Sequence, residues 1–288
     1  MKICVFGINS YIGNMFGRSC QDDSEFELVY VDSKGNAWES QDFRSFDVIL
    51  HIAGIAHISM DHKMESIYYT VNRDLPIRVA NKAKQEGVKQ FIFLSSMIVY
   101  GDPHGIKDIV NIKSDTKPKP ENFYGKSKLE ADECLQTLAD DSFYVSVLRL
   151  PMVYGQGCKG NFPKLVELTK RIKIFPDINN ERSMIYIDNL CEFFKLCIRN
   201  RYSGVFYPQN AEYVSTKAII GCAAAIAGRK MRFISIINPI IYLLSPKINS
   251  LNKVFGSKTY DKSLCPDLKK YNLYSFEESM KRYFEQTL

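Results

Sequence analysis

The fold is decided by a short apolar run and the glycine-bearing turn behind it, Lys2-Ile3-Cys4-Val5-Phe6-Gly7-Ile8-Asn9-Ser10-Tyr11-Ile12-Gly13. The run predicts a β-strand, and a helical stretch follows the turn. Gly7 and Gly13 take the outer positions of a G-x-x-G-x-x-G frame, and the small residue Ser10 takes the middle one. A helix N-terminus behind such a turn offers N–H groups and partial positive charge to a pyrophosphate. A plain turn into a helix would have a similar sequence, so the neighbouring motifs must distinguish it from a pyrophosphate-binding turn.

Strand and helix signals alternate through the first half of the chain. Helical patterns at about 61–86 and 122–139 separate continuous apolar runs. The predicted strands are Lys2 to Phe6, Phe26 to Val31, Val48 to Ile52, Phe91 to Leu94 and Val145 to Leu150. Apolar strands that alternate with helices are typical of a parallel sheet covered on both faces. We therefore expect an α/β fold, a Rossmann-type doubly wound parallel sheet with a smaller C-terminal substrate-binding part.

The 288 residues allow one large domain or two fused ones. The second half is less regular, with helical periodicity at 162–172 and 187–200. We place a soft boundary near Pro151. Residues 1–150 are expected to bind a dinucleotide, and residues 151–288 mainly to bind substrate in an interlocked second part.

Composition and charge exclude several classes of protein function. The 38 Lys and Arg against 32 Asp and Glu give a net charge of +6, which permits an anionic substrate. The excess is too small and too evenly scattered to imply nucleic-acid binding. The eight cysteines show no C-x-x-C pair, so we expect neither a metal site nor a disulfide framework, and a reducing cytosol fits. No signal peptide is recognisable at the start.

The most apolar later stretch is 233–244, which contains Pro239. It is shorter than the ~20 residues that a membrane-spanning helix needs. It predicts a buried or half-buried helix, with a helix lying on a membrane surface as the alternative.

The second and third predicted strands end in residues that suit a dinucleotide. Asp32 ends the second strand, where a carboxylate can bind both hydroxyls of an adenosine ribose. Such a carboxylate would repel a 2′-phosphate, so NAD is favoured over NADP, although Lys34 leaves room for NADP. Ala53 and Gly54 follow the third strand, and small residues there let a cofactor lie against the backbone. The alternative for Asp32 is a solvated aspartate in a loop, and the alternative for Ala53 and Gly54 is a simple turn.

A tyrosine and a lysine are spaced for catalysis at Tyr124 and Lys128. Residues i and i+4 of a helix share a face, so phenol and ammonium would project into one site. The ammonium and an oxidised nicotinamide would stabilise the phenolate and lower the pKa of Tyr124 from ~10. Because Y-x-x-x-K also occurs at Tyr30 and Tyr213, the spacing alone is not specific.

The residue that favours a catalytic role for Tyr124 and Lys128 is Ser96, at the end of the fourth predicted strand. A hydroxyl at the carboxyl end of that strand can orient the substrate hydroxyl that the phenolate deprotonates. Without Tyr124, Ser95 and Ser96 would be read as residues that simply end a strand.

Together these motifs resemble the extended short-chain dehydrogenase/reductase family, in its nucleotide-sugar epimerase/dehydratase branch. The resemblance covers about residues 1–210 in the family's order, and more weakly 261–288. The matching positions are Gly7, Gly13, Asp32, His51, Ala53, Gly54, Asn72, Ser96, Tyr124, Lys128, Arg149 to Gly155 and Arg182 to Leu190.

The resemblance implies roles for these residues. Tyr124 is similar to the family's general base and acid, Lys128 to its phenolate stabiliser, and Ser96 to its substrate-orienting hydroxyl. Arg182 matches the arginine that binds the nucleotide pyrophosphate. Residues 158–162 resemble the substrate loop of 4-keto-sugar reductases. The substrate-binding candidates are Ser96, Met97, Asn161 and Arg182. The cofactor-binding candidates are Gly7, Asn9, Ser10, Tyr11, Ile12, Gly13, Asp32, Asp42, Ala53, Gly54, Asn72, Tyr124 and Lys128.

Two departures from the family's pattern stand out. Only 14 residues separate Asp32 from Asp47, too few for the helix and strand that the family usually has there. The adenine side must therefore be shortened, and Asp42 is the candidate adenine contact. Met152 stands where UDP-galactose 4-epimerases have a substrate asparagine, which argues against identical UDP-hexose recognition.

The resulting expectation is a cytoplasmic, NAD-dependent enzyme that acts at C4 of a UDP-linked sugar, and the resemblance implies a place in polysaccharide synthesis. Tyr124 would take the C4 hydroxyl proton while hydride moves to NAD⁺, and return of the hydride on the other face gives a 4-epimerase. Reduction of a UDP-4-keto-6-deoxy-sugar with NAD(P)H is the alternative, and a non-catalytic NAD-sensing regulator is a second one. By the resemblance we expect a homodimer that pairs through 61–86 and 122–139.

Overall fold

The computed structural model describes residues 1–56 and 62–285. The chain forms two compact units made of interleaved segments. The first unit comprises Met1–Gly101, Lys117–Leu150 and Leu190–Pro208. The second comprises Asp102–Thr116, Pro151–Asn189 and Gln209–Leu288. The chain passes from the first unit to the second between Leu150 and Pro151, and 102–116 and 190–208 belong to the unit opposite the half in which they lie in sequence. The assignment of dinucleotide binding to 1–150 and of substrate binding mainly to 151–288 stays a prediction.

Twelve strands and eleven α-helices are found in the described residues. The strands are β1 (Lys2–Phe6), β2 (Glu27–Val31), β3 (Val48–His51), β4 (Gln90–Ser96), β5 (Ile109–Ile112), β6 (Tyr144–Leu150), β7 (Met152–Tyr154), β8 (Ile174–Pro176), β9 (Met184–Tyr186), β10 (Gly204–Phe206), β11 (Arg232–Ile234) and β12 (Ser257–Tyr260). The helices are α1 (Tyr11–Ser19), α2 (Glu65–Tyr69), α3 (Leu75–Gln85), α4 (Phe123–Gln136), α5 (Asn161–Arg171), α6 (Ile187–Arg199), α7 (Thr216–Ile226), α8 (Asn238–Leu244), α9 (Asn249–Phe255), α10 (Leu268–Tyr271) and α11 (Phe276–Glu285). Short 3₁₀ helices lie at Ala37–Ser40, His62–Met64, Met97–Tyr100 and Lys262–Leu264, and a π-helix at Thr70–Asp74.

The first unit is built on a six-stranded sheet with the order β2-β1-β3-β4-β6-β10, in which every pairing is parallel. The strand order reverses at β1 and β3, which is the switch point where doubly wound sheets bind ligands. The predicted Rossmann-type α/β fold is confirmed.

The five predicted strands are all present, and the apolar runs of β1, β3, β4 and β6 are buried in the sheet, whereas β2 is mostly half-buried or exposed. In β4, Phe91 and Phe93 are fully buried, and each contributes about 1.5–3 kcal/mol relative to exposure. This strand is longer than predicted, since Ser95 and Ser96 pair with Arg149 and Leu150 of β6. Ser96 therefore ends a central strand, and the pairing of β4 with β6 holds it in place.

The segment between β2 and β3 is short, as the spacing of Asp32 and Asp47 predicted. It carries one 3₁₀ helix, Ala37–Ser40, and no further strand, so β2 is the edge of the sheet. Trp38 of this helix is buried edge-on against Phe6, with ring centroids 5.6 Å apart. One aromatic side chain thus covers this edge of the sheet in a segment that holds no further strand.

The second unit contains three parallel two-stranded sheets, β5-β12, β7-β9 and β8-β11. Its core includes the buried phenol of Tyr154, which hydrogen-bonds Ser279 at 2.6 Å and accepts from the Asn210 amide at 2.9 Å. The predicted helices at 162–172 and 187–200 are present as α5 and α6.

The apolar stretch 233–244, expected to be one buried or half-buried helix, is helical only in its second part, and there it is half-buried and not buried. It begins within β11 and continues into α8, in which no residue is buried. Its apolar residues lie on all sides of a seven-residue helix, so packing on one side leaves the other exposed. No helix within 1–56 or 62–285 is both long and apolar enough to cross a bilayer.

Candidate active site

The turn after β1 is shaped by a glycine that no other residue could replace without strain. Gly7 has a φ of +127°, and a Cβ built on it would lie 2.8 Å from the backbone nitrogen of Ala53. The ends of β1 and β3 therefore approach each other backbone to backbone. Asn9 has a φ of +61°, a left-handed conformation that asparagine tolerates.

The N-terminus of α1 is prepared for an anion. Ser10 is its cap, and the Ser10 Oγ accepts the N–H of Gly13 at 3.1 Å. A Cβ on Gly13 would lie 2.5 Å from that Oγ, so the serine in the middle position and the last glycine depend on each other. The first turn, which includes Tyr11 and Ile12, has no acidic side chain to neutralise the helix dipole. These features fit the pyrophosphate of a dinucleotide.

The two predicted acidic cofactor ligands are exposed and lie in different settings. Asp32 directly follows β2, and its Oδ1 accepts the N–H of Lys34 at 3.0 Å. Asp42 accepts hydrogen bonds from the Nε and Nη2 of Arg44, and these hydrogen bonds lower the pKa of Asp42 to about 2. The adenine contact assigned to Asp42 stays a prediction, and its carboxylate is already bound to Arg44.

Local packing brings Tyr124 to Ser96. The Oγ of Ser96 caps the 3₁₀ helix Met97–Tyr100 by accepting the N–H of Ile98 at 3.3 Å, and Met97 is buried. Asn122 caps α4 through the N–H of Gly125 at 2.8 Å. A Cβ on Gly125 would lie 3.1 Å from the Ile98 carbonyl oxygen, so the first turn of α4 lies against the residues after Ser96.

Two side chains, those of Ser96 and Tyr68, act on the phenol of Tyr124. Burial raises the pKa of Tyr124, the Ser96 hydrogen bond lowers it in part, and Tyr68 raises it further. The rings of Tyr68 and Tyr124 are 5.8 Å apart at 63°. Tyr68 carries no sequence signal of this role, because its position on α2 relative to α4 follows only from tertiary packing.

Lys128 is buried one turn further along α4. Its Nζ donates to the carbonyl oxygen of Leu94 at 2.9 Å and lies 4.7 Å from the centre of the Phe93 ring. Burial lowers the pKa of Lys128 to about 7, against the opposing effect of Asp132.

The expected lowering of the Tyr124 pKa is not found among these residues. Burial of the phenol outweighs the Ser96 hydrogen bond, and Lys128 is not among the groups that set this pKa. The physical reason is that the Lys128 ammonium is directed to Leu94 and Phe93. The same burial that raises the pKa of Tyr124 also disfavours the ammonium.

Asn72 joins the site through a π-helix. It is fully buried, its Oδ1 accepts the N–H of Ile55 at 2.9 Å, and its amide donates to the Ile55 carbonyl at 3.0 Å. A Cβ on Gly54 would lie 3.1 Å from this Oδ1 and 3.2 Å from the Nζ of Lys128. Gly54, Asn72 and Lys128 therefore meet. The wide turn Thr70–Asp74 that carries Asn72 had no sequence signal, although such turns are frequent at functional sites.

A buried polar network lies behind Lys128. Asp132 binds the Nε and Nη2 of Arg149 at 2.8 and 3.1 Å and accepts the Ser95 hydroxyl at 2.9 Å. Arg149 also donates to the Tyr100 hydroxyl at 2.6 Å. Arg149 was recognised only as the start of a motif, and Asp132 was missed, although its place four residues after Lys128 puts it on the same helix face.

The remaining predicted ligands belong to the second unit. The guanidinium of Arg182 donates to the carbonyls of Gly256 at 3.0 Å and Asn252 at 3.3 Å, at the end of α9. Burial lowers the pKa of Arg182 to about 10, although Asp102 opposes this. Asn161 is exposed at the first position of α5, beside Gly160 with a φ of +101°. Their roles toward a nucleotide or sugar stay predictions.

The eight cysteines are free thiols, and no three His, Cys, Asp or Glu side chains in the described part of the chain gather into a possible metal site. The catalytic roles of Ser96, Tyr124 and Lys128 in the first unit stay predictions. The Gly7–Gly13 turn and the Ala53–Gly54 pair fit a dinucleotide at the same edge of the sheet.

Comparison with known proteins identifies the family of this chain. The model of the NAD dependent epimerase/dehydratase family matches residues 3–207. UDP-glucose 4-epimerase of Vibrio cholerae is 36% identical over 181 residues, which are 60% of this chain and 55% of that protein. The N-acetyl-alpha-D-glucosaminyl-diphospho-ditrans,octacis-undecaprenol 4-epimerase of Escherichia coli O157:H7 is 29% identical over 170 residues, 57% of this chain and 49% of that protein. The chain spans about half the length of these curated relatives.

Solved structures share the fold along the whole chain. UDP-glucuronic acid 4-epimerase from Bacillus cereus, in complex with NAD, has a TM-score of 0.74 at 19% identity, over 99% of this chain and 96% of that one. A dTDP-4-dehydrorhamnose reductase from Clostridium acetobutylicum has a TM-score of 0.72 at 15% identity, over 100% and 99%. Since the family model matches well over half of the sequence, the chain belongs to the NAD-dependent epimerase/dehydratase family.

Proposed function

We propose that this chain is a nucleotide-sugar 4-epimerase that oxidises C4 of a UDP-sugar transiently and reduces it again with the same NAD. The observation that carries the proposal is the packing of the first turn of α4, which contains Tyr124, against the residues that follow Ser96 at the carboxyl end of β4. The buried amine of Lys128 lies one helical turn further on. Both curated relatives described above are 4-epimerases by name, which supports the choice of C4.

The residues that would hold NAD are those of the Gly7–Gly13 turn, Asp32, Ala53, Gly54 and Lys128. A bound NAD supplies the hydride acceptor and, after the sugar turns over, the hydride donor. Tyr124 takes the proton of the C4 hydroxyl at its phenolic oxygen and returns it at the end of the cycle. A positioned proton-transfer group of this kind contributes typically 10²- to 10⁴-fold to the rate.

Ser96 and Lys128 prepare the phenol for this task. The Ser96 hydroxyl orients the substrate hydroxyl toward Tyr124 and counteracts the effect of burial on the Tyr124 pKa. Burial lowers the pKa of the Lys128 amine to about 7. A ribose hydroxyl or a phenolate brought near this amine would favour the ammonium form, which in turn favours the phenolate.

A second candidate reaction, the NAD(P)H-dependent reduction of a UDP-4-keto-6-deoxy-sugar at C4, uses the same three side chains. The loop 158–162 favours it. Cys158 and Phe162 are buried, and the Phe162 ring lies 4.8 Å from that of Tyr154, so both ends of the loop are fixed while Asn161 is exposed. The reductase among the structural neighbours shares the fold on which either reaction can be built.

One assay separates the candidates. The purified chain is mixed with UDP-glucose, UDP-N-acetylglucosamine or their 4-keto-6-deoxy derivative, with and without NADH, and the products are followed by NMR. Epimers without net cofactor change support the epimerase, and stoichiometric NADH loss supports the reductase. Inactivity toward all three with tight NAD binding would favour a regulator. Full turnover by a folded Tyr124→Phe variant would contradict both enzymatic mechanisms.

We also propose that the chain works in the cytoplasm as a homodimer in polysaccharide synthesis. The resemblance described above supports pairing through 61–86 and 122–139. On α2, Ile67 is 44% exposed, which suits a residue covered by a partner. Sedimentation velocity of the wild type and of Ile67→Gln tests the dimer, and a monomeric wild type would contradict it.

A further inference from the structure

The positive charge of the chain is concentrated in one segment. Residues 213–260 contain seven Lys and Arg and no Asp or Glu, between Glu212 and Asp261. The seven cations are Lys217, Arg229, Lys230, Arg232, Lys247, Lys253 and Lys258. This segment alone exceeds the net charge of +6 of the whole chain, and neither the fold nor the candidate active site explains it.

The same segment carries a cluster of exposed apolar side chains. Ile236 is 82% exposed, Ile240 60% and Leu243 76%. Residues three and four apart share a helix face, so Ile240, Leu243 and Leu244 form one side of α8, which Ile236 and Ile248 extend. These five are among the thirteen large apolar side chains that are exposed within the described residues. Single exposed apolar residues are ordinary, but a contiguous group marks an interaction surface.

The opposite side holds α8 to the second unit. Ser245, directly after α8, is buried, and the Asn238 amide donates to the Asp177 carbonyl at 2.7 Å. The Lys107 Nζ lies 5.6 Å from the centre of the Tyr242 ring. The helix is thus anchored along one face while its other apolar face is presented outward.

Basic side chains flank this face in the chain. Arg229, Lys230 and Arg232 precede it, and Lys247 and Lys253 follow it, all of them exposed. In the described ranges, Lys230, Arg232, Lys247 and Lys253 form no ion pair with a carboxylate. The charge next to the apolar face is therefore positive and not compensated within the segment.

We propose that the α8 surface, which comprises Ile236, Ile240, Leu243, Leu244, Lys247 and Ile248, docks the protein onto an anionic phospholipid bilayer. Its apolar side chains would enter the boundary between headgroups and acyl chains while α8 lies in the plane of the interface. The flanking lysines and arginines would contact the anionic headgroups. The seven residues of α8 are too few to cross the bilayer.

Charge argues against a second copy of this chain as the occupant. An isologous contact would bring the same face of both copies together. The cations of one copy would then lie opposite those of the other and repel them. An anionic membrane satisfies both the apolar and the basic parts of the surface at once.

The test is flotation of the full chain with vesicles of phosphatidylcholine alone or mixed in equal parts with phosphatidylglycerol, at low and high salt. We expect binding to the mixed vesicles that salt weakens. The variant Ile240→Gln/Leu243→Gln is expected to bind about tenfold less, and Lys247→Gln/Lys253→Gln several-fold less. The matched control is Ile109→Gln/Leu273→Gln, which replaces two similarly exposed residues of the same unit, 77% and 55% exposed, and should bind like the wild type.

Three results would overturn the proposal. The first is absence of binding, or equal binding to both vesicle types. The second is equal loss of binding in the α8 variant and in the Ile109/Leu273 control. The third is a wild-type dimer in sedimentation velocity that the α8 variant abolishes while vesicles are not bound, since that would identify a second copy as the occupant.

Discussion

The carboxylate of Asp132 binds the guanidinium of Arg149 through two hydrogen bonds of 2.8 and 3.1 Å. The Asp132 side chain is fully buried and that of Arg149 is 8% exposed. The pair connects α4 to β6 directly behind Lys128.

Asp132→Asn should destabilise the first unit strongly. It leaves the buried Arg149 cation without its partner, and breaking such a pair costs about 3–5 kcal/mol. Urea unfolding measures the loss. The exposed pair of Asp42 with Arg44 provides the control, since Asp42→Asn should change stability little. The double variant Asp132→Asn/Arg149→Met should recover much of the loss, and a single variant as stable as the wild type would show that the pair is not structural.

Lys128→Met should remove a pH dependence of stability. The folded-state pKa of Lys128 is about 7, below the ~10.4 of an unfolded lysine, so stability falls as pH falls through that range. Between pH 9.5 and 7.5 the wild type should lose up to about 2–3 kcal/mol by this route, and Lys128→Met should not. Urea unfolding at both pH values gives the difference. An unchanged dependence in the variant would refute the burial cost assigned to this amine.

His51 should make the protein sensitive to acid. It is fully buried, stacks on Phe6 with ring centroids 5.1 Å apart, and its pKa is lowered to about 3 by burial and, in smaller part, by Lys128. An unfolded histidine has a pKa of ~6.5, so stability present above that pH is lost as pH falls toward 3. From pH 7.5 to 4.5 this group should cost up to about 2–3 kcal/mol.

His51→Phe should lose less stability over that range, whatever its stability at pH 7.5. The exposed His104 serves as the control, and His104→Gln should keep the wild-type loss. Chemical unfolding at the two pH values measures both. A His51→Phe variant as acid-sensitive as the wild type would mean that other groups cause the loss.

Ser96→Ala should shift the pH profile of catalysis. Its hydroxyl lowers the pKa of Tyr124, so its removal raises that pKa and moves the rising limb of kcat/KM to higher pH. Ser96→Thr keeps a hydroxyl and should stay near the wild-type profile. Tyr124→Phe should lose about 10²- to 10⁴-fold in kcat. A profile unchanged in Ser96→Ala would limit the serine to capping the 3₁₀ helix.

Gly7→Ala should abolish NAD binding and destabilise the fold. Its Cβ would lie 2.8 Å from the Ala53 nitrogen, in a backbone with a φ of +127°. Gly87→Ala is the matched control, because Gly87 also has a positive φ, +84°, and nothing lies within 4 Å of its Cβ position. The control should lose about 1 kcal/mol and bind NAD normally in calorimetry. Equal effects of the two substitutions would mean that strain, and not the contact with Ala53, explains Gly7.

Sequence patterns predicted those features that depend on residues close together in the chain. The buried strands followed from continuous apolar runs, and the anion-binding turn followed from the spacing of Gly7, Ser10 and Gly13. The common face of Tyr124 and Lys128 followed from helical periodicity. Each of these is a local rule of backbone geometry or burial, so it operates before the tertiary structure is known.

Contacts between distant segments could not be predicted in this way. Asp132 and Arg149 meet only because α4 packs on β6, and Tyr68 reaches Tyr124 only because α2 packs on α4. The same packing directs the Lys128 ammonium to the Leu94 carbonyl, so burial and not this ammonium dominates the Tyr124 pKa among these residues. Desolvation depends on everything that surrounds a group, so neither pKa shift could be read from spacing.

By itself, the sequence determined that this chain forms a doubly wound α/β sheet with a nucleotide turn and a Ser-Tyr-Lys set. Those properties are encoded in short-range patterns of burial and turn formation. Only the tertiary structure decided which charges are buried, how the segments divide between the two units, and which face of the apolar stretch 233–244 is exposed. An apolar run indicates that burial is favourable, but the neighbouring elements determine whether there is a surface against which it can be buried.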